Sequence, residues 1–251
     1  MIRSDLVKIF FRSLLISSSL NYRRMQNLGF AYALLPLVKH GDGNPKTTGA
    51  FLLRHLQLFN THPYLSASIL GSVARVEDSG ELDDRGGVAV QIKNAMMGPY
   101  AALGDAFFWG GMRPCAAIAA VAVALGGYSW APLLFLALYT PFHLWIRGRG
   151  FFEGYRLGPE GFRFVQGLNL PGLNPLVRWF SVACLSVLVA WWMKTAMPAP
   201  WSVAPDPLIA PVILAIVLMF VWAIKRGISR VLLLYTMAAV FFLVSICYGA
   251  E

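Results

Sequence analysis

Charge is scarce in this sequence: Asp, Glu, Lys and Arg make up 13% of 251 residues, against the ~25% usual in a soluble domain. With 57% hydrophobic residues and a mean hydropathy of +0.60, that shortage points to a chain that lives in a bilayer. Acids are scarcer than bases, 12 against 21. The basic excess is not a nucleic-acid footprint, because the lysines and arginines are scattered and flank apolar runs, as they do in cytoplasmic loops of membrane proteins. Cysteine is nearly absent. Cys115, Cys184 and Cys247 stand far apart in apolar segments, which leaves no disulfide framework, redox pair or cysteine metal site and makes them small hydrophobes. No secretory signal is visible either. The apolar patch at Leu14–Ile16 is too short and runs into Ser, Asn and two arginines instead of a cleavage site.

What is present is helical and mostly apolar. Leu6, Ile9, Phe10, Leu14 and Ser17 follow one helical face with Lys8 and Arg12 off it, which predicts an amphipathic helix at the cytoplasmic membrane surface or against a partner. Asn21 through Pro36 reads as a second helix stopped by Pro36, and His40–Pro45 as a turn cluster. Ala50–Phe59 is a third helix, ended by Asn60-Thr61-His62-Pro63. Leu65–Val76 follows, and then Glu77, Asp78, Glu81, Asp83 and Asp84, read as a solvated loop. Pro114–Leu125 and Ala131–Ile146 read as a helical hairpin turning near Gly126–Trp130. Leu176–Met193, Leu208–Ile224 and Val231–Tyr248 are spanning candidates, with the proline-rich loop Met197–Pro207 between the first two. Basic residues at 147–163 and 225–230 place those loops, and the basic N-terminal third, in the cytoplasm, and put the C-terminus outside. The fold class is therefore an all-α integral membrane protein with about four to five transmembrane helices, cytoplasmic-side N-terminal helices and broken or re-entrant helical hairpins. Residues 1–48 hold the amphipathic helices, 49–158 the core with the polar motifs and hairpin, and 159–251 the C-terminal spans.

Three polar clusters interrupt the apolar background. In Ala95–Trp109 the lone charge is Asp105, with Gly98-Pro99 before it and Gly104 directly beside it. A carboxylate at membrane depth costs at least ~2.5–3.5 kcal/mol and so faces a cavity or a partner, and broken backbone is tolerated there only where protein or water covers it. Asn60-Thr61-His62-Pro63 is the second cluster and Asn21–Asn27 the third. Amides and carboxylates beside aromatic rings suit a sugar, and Phe59, Tyr64, Phe107, Phe108 and Trp109 supply rings. For Asn60 and Thr61, capping a helix end competes with ligand contact. His55 and His62 share no spacing with a carboxylate or cysteine, and His40 and His143 are remote in sequence, so no metal is implied. No phosphate-cradling glycine loop or paired Mg-binding acids accompany His62. That argues against a phosphoryl acceptor and against a membrane hydrolase built on Asp105 and His62.

At these same residues the sequence resembles the IID component of the mannose-type sugar phosphotransferase system, an integral-membrane permease subunit. The resemblance rests on Asn21–Phe30, His55–Tyr64, and Met97–Gly110 with Arg113-Pro114 after it. It covers Leu6 to Gly158 well and resumes loosely over Leu208–Tyr248. It implies pairing with a IIC subunit, assembly as a trimer of IIC–IID pairs in the bacterial inner membrane, and import of a hexose or amino sugar. A cytoplasmic IIB protein, itself phosphorylated by IIA, phosphorylates the sugar, so the resemblance implies no catalytic residue and no cofactor in this chain. Asn60, Thr61 and His62 occupy the family's Asn-Thr-(His/Gln)-Pro motif and Asp105 the acid of its Gly-Asp motif. The expected substrate-binding residues are Asn60, Thr61, His62 and Asp105, then Asn21 and Gln26. The chain departs from the family at Arg23, where an acid is common, at Leu20, where a Trp is common, and in a shortened 166–207 region. A non-transporting regulatory or receptor-like protein that keeps the fold is the alternative reading.

Overall fold

In a computed structural model, which describes residues 3–38, 45–79, 85–196 and 209–248, the chain is built of helices, with no strand among the described residues. They are α1 (Arg3–Ser13), α2 (Asn27–Val38), α3 (Pro45–His55), α4 (Ser66–Asp78), α5 (Arg85–Gly104), a π-helical segment (Asp105–Met112), α6 (Arg113–Leu125), α7 (Ala131–Leu157), α8 (Phe162–Gly167), α9 (Leu170–Ala196), α10 (Ile209–Lys225) and α11 (Arg230–Tyr248). The chain forms two compact units, Met1–Leu188 and Val189–Glu251. The expected turn at His40–Asn44, the acids Glu81, Asp83 and Asp84, and the loop Met197–Pro207 lie outside the described residues.

In the first unit the apolar face of α1 turns inward. Ile9 is buried with Phe30, Leu34, Leu70, Val73 and Phe151 in one core, and Leu6 and Phe10 pack against it. The face expected to lie on a membrane surface or a partner is thus covered by the chain's own helices, while Val7 and Phe11 stay exposed. The second helix is shorter at its start than expected. Asn21–Gln26 form a tight turn with Met25 at φ 57°, and α2 then runs through Pro36 to Val38. A proline removes one N–H but is tolerated where packing holds the helix.

The expected break at Gly98-Pro99 is absent as well, although both residues are exposed. Helical backbone is continuous from Arg85 to Leu125, and Asp105 lies at its midpoint. What interrupts the regular winding is the π-segment, where the Arg113 N–H donates to the Phe108 carbonyl, five residues back. Two helical stretches among the described residues are long and apolar enough to cross a membrane, Gly86–Leu125 with 40 residues and Leu170–Trp192 with 23. At ~1.5 Å per residue the first is about 60 Å long, roughly twice a hydrocarbon core. The turn expected near Gly126–Trp130 is present, with Gly127 at φ +84°, and α7 folds back on α6 but continues past Ile146 to Leu157.

The closest helix pair is α4 with α7, and glycine makes it possible. A methyl group on Gly71 would overlap the Phe151 carbonyl, and one on Gly154 would overlap the Ser68 carbonyl. Gly150, Gly154 and Gly158 recur every four residues, the small-residue spacing that lets membrane helices touch backbone to backbone. Glu77, expected in a solvated loop, instead ends α4 with its side chain only 5% exposed. It accepts from Arg54 Nε at 2.8 Å and Nη2 at 2.7 Å, and from His55 Nε2 at 2.8 Å. Burial pushes Glu77 up, and the hydrogen bonds from His55 and Arg54 overcome it, holding the carboxyl below its ordinary value. Burial also lowers His55, so the imidazole is neutral with its proton on Nε2, consistent with a buried Nδ1 that has no partner. The second unit holds the end of α9, α10 and α11. The spans expected at 208–224 and 231–248 form helices of 17 and 19 residues, with exposed apolar side chains such as Leu218, Trp222, Leu232 and Tyr235.

Candidate functional site

The loop Asn60–Pro63 joins α3 to α4 and lies against the midpoint of the long helix. Gly104 makes this approach possible: a methyl group there would overlap the His62 ring. His62 stacks on Phe108 (ring centroids 5.1 Å, planes 13° apart) and meets Trp109 edge-on at 4.8 Å. The glycine beside Asp105 is therefore a seat for His62. Asp105 and Trp109 face outward on the π-segment while Phe107 and Phe108 are buried. Widened π winding turns the acid and the indole to one side and both phenylalanines to the core.

Of the residues expected to bind substrate, His62 packs against Gly104, Phe108 and Trp109, which flank Asp105, and Asn60 and Thr61 precede it in the same loop. Asn60 and Asp105 are exposed, and Asp105 makes no hydrogen bond or ion pair among the described residues. Thr61 and His62 are buried, His62 being 1% exposed, yet Thr61 Oγ1 and His62 Nε2 have no partner among the described residues. Buried polar atoms are nearly always paired, so both call for a partner beyond those residues. Neither Asn60 nor Thr61 caps α4, whose N-terminus has no side-chain cap.

Asn21 and Gln26 are differently placed. Asn21 donates to Asn27 Oδ1 at 2.7 Å and to the Met25 carbonyl at 3.2 Å, and accepts from the Arg24 N–H at 2.8 Å. Gln26 grips the Thr61 backbone from both sides, donating from Nε2 to the Thr61 carbonyl at 2.9 Å and accepting from its N–H at 3.1 Å. Asn21 is committed to its own turn and Gln26 to the Asn60–Pro63 loop.

Three further residues surround the loop and come from α7: Tyr139, His143 and Arg147. The Tyr139 hydroxyl donates to the Tyr64 hydroxyl at 3.1 Å, and His143 stacks on the Tyr64 ring at 4.3 Å. Remote in sequence, His143 is thus two rings from His62. Arg147 donates from Nε (3.3 Å) and Nη2 (3.1 Å) to the Pro63 carbonyl, and its guanidinium lies over the Tyr64 ring at 5.2 Å. The sequence does carry a signal for them, polar side chains at four-residue spacing that begin in the apolar first half of α7. Among the described residues no group of His, Cys, Asp and Glu is placed to hold a metal ion.

The His62 pKa is pushed down from 6.5 to about 4, by burial first and then by the charges of Arg147 and His143. An unfolded chain takes up this proton near pH 6.5, the folded chain only near 4. Stability is therefore intact above about 6.5 and is lost as the pH falls toward 4, by roughly 2 kcal/mol between pH 7 and 5. Thermal unfolding in detergent should show that acid sensitivity in the wild type and a smaller one in His62→Gln. Equal acid sensitivity of the two proteins would contradict a buried, neutral His62.

Comparison with known proteins shows the family. The family model for the PTS system mannose/fructose/sorbose family IID component matches residues 1–248. The fructose permease IID component of Bacillus subtilis (strain 168) is 32% identical over 200 residues, covering 78% of this chain and 72% of that one. The mannose-specific EIID component of Escherichia coli (strain K12) is 33% identical over 202 residues, covering 78% and 70%. The sorbose-specific EIID component of Klebsiella pneumoniae is 31% identical over 207 residues, covering 81% and 75%. Among solved structures, a chain of the mannose transporter ManYZ in complex with microcin E492 matches with a TM-score of 0.59 at 26% identity, covering 100% of this chain and 97% of that one. Another structure, described as a membrane protein, matches with a TM-score of 0.72 at 27% identity over 99% and 97%. The chain belongs to the mannose/fructose/sorbose family of phosphotransferase-system IID components, membrane permease subunits of sugar transport.

Proposed function

We propose that this chain pairs with a IIC subunit in the bacterial inner membrane, as a trimer of such pairs, and forms one wall of the path of a hexose or amino sugar. The sugar is phosphorylated by a cytoplasmic IIB protein, charged in turn by IIA. The chain itself carries out no phosphoryl transfer. The observation that carries the reading is the junction of Asn60–His62 with the π-segment, where an exposed amide and an exposed, unpaired carboxylate stand beside the orphaned atoms of Thr61 and His62. Such groups at the midpoint of an apolar helix suit a polyhydroxylated ligand and a second protein wall. Sugars named in the relatives' descriptions support the substrate class. Asn60 and Asp105 contact the sugar, Thr61 and His62 line its path, and Asn21 and Gln26 brace the loop. With the N-terminus in the cytoplasm and the C-terminus outside, several spans cross the membrane.

Membranes that co-express the chain with its neighbouring IIC, IIA and IIB partners provide the test. The expected result is uptake and phosphorylation of at least one hexose or amino sugar, dependent on this chain, with no stable phosphoryl label on His62. An assembled complex that takes up no such sugar would overturn the reading.

A further inference from the structure

Four arginines lie between residues 147 and 163. Three have carboxylate partners: Arg149 and Arg156 pair with Glu153, and Arg163 with Glu160. Arg147 has none among the described residues. A half-buried guanidinium without a counter-charge is costly, so its position requires a reason. Its contacts supply one: both N–H donors of one edge of the fork reach the Pro63 carbonyl, and its plane covers the Tyr64 ring. The same carbonyl accepts from Ser66 Oγ at 2.8 Å.

The consequence is a loop held at two points by two different elements. Gln26, from the turn before α2, grips the backbone at Thr61. Arg147, from α7, grips it at Pro63. Between these two clamps sits His62, and just before the first is Asn60. Proline has no N–H of its own, so the carbonyl is the one backbone group at position 63 through which the loop can be held. Around that point Tyr139, Tyr64 and His143 form a connected stack on the same face of α7.

We infer that Arg147 is a positioning residue of the sugar path, clamping the Pro63 carbonyl so that Asn60 and His62 are presented from α7 in a fixed geometry. The inference rests on the proposed transport role for its effect on sugar, though not for the clamp itself. Lysine in this position keeps a charge and one donor but has neither the fork nor the plane that covers Tyr64. Methionine keeps bulk alone.

Two measurements on the full chain with its partner subunit test it. In uptake assays, Arg147→Lys should raise the half-saturating sugar concentration about tenfold and Arg147→Met about a hundredfold, with assembly and maximal rate retained. Amide hydrogen exchange should speed up about tenfold or more in residues 59–65 of Arg147→Met, less in Arg147→Lys, with the middle of α4 and α7 unchanged. Unaltered exchange in the loop of both variants overturns the clamp. So does a loss of assembled complex and uptake capacity in proportion, at an unchanged half-saturating concentration, which is what a purely structural role produces. If the wild type takes up no sugar, the transport reading fails separately, and the exchange measurement still decides the clamp.

Discussion

Asp105→Asn is expected to abolish sugar uptake while leaving the chain at least as stable as the wild type. The two effects have opposite signs because one group causes both. Asp105 is exposed, has no partner among the described residues and sits midway along an apolar helix of 40 residues. A charge at the bilayer centre costs roughly 2.5–3.5 kcal/mol, so neutralising an unpaired carboxylate in an apolar helix is not expected to destabilise the chain. A carboxylate accepts at both oxygens, whereas the amide keeps one acceptor and turns the other position into a donor, so a bond accepted there, worth about 1.5–3 kcal/mol, is lost, roughly a 10–150-fold effect. The remaining bond also loses its charge assistance, and together the two losses take uptake below detection. Thermal unfolding in detergent and co-purification with the IIC partner, measured beside uptake, separate the possibilities. Retained assembly with lost uptake places Asp105 on the sugar, and lost assembly places it on the partner. A variant that is destabilised alone, with normal uptake per assembled complex, would remove Asp105 from both roles. Function maintained against stability in this way is common at sites.

The second large effect concerns packing. Gly154→Leu should prevent the first unit from folding, whereas Gly148→Ala, six residues earlier on the same helix, should be neutral or slightly stabilising. A side chain at Gly154 meets the Ser68 carbonyl, which is backbone and cannot swing aside. Separating α4 from α7 also displaces Arg147 and the loop it holds. Overpacking of this kind costs more than about 3 kcal/mol, a large part of total stability. At Gly148 nothing lies within 4 Å of an added methyl, so alanine brings only its better helix propensity, about 0.5–1 kcal/mol. Expression level, monodispersity in detergent and Tm of the two variants check the contrast. A well-folded Gly154→Leu would mean that the two helices are not in backbone contact.

Much was legible from residues alone, because membrane depth imposes strong rules on composition. Scarce charge and long apolar runs determined the class, and the isolated Asp105 with the Asn60–His62 cluster marked the candidate site, since each is expensive in lipid unless it has a use. Local punctuation was less dependable. Pro36 and Pro99 read as interruptions, yet both are carried inside helices; at the buried Pro36 packed neighbours outweigh one missing N–H. Glu77 read as solvated because its neighbours in sequence are acidic, and it is buried because Arg54, 23 residues away, neutralises it and the neutral His55, 22 residues away, donates to it.

Only the tertiary structure decided why Gly104 precedes the acid, since the group it makes room for is the ring of His62, over forty positions earlier. Likewise it decided that Gln26 holds the Thr61 backbone and that Arg147 holds Pro63, hydrogen bonds between partners 35 and 84 residues apart. Sequence determined which groups stand out, a polar motif and a lone carboxylate in an apolar setting. The fold determined which of those groups are left unpaired and which are used to hold the others, because pairing depends on distance in space and no periodicity along the chain encodes it.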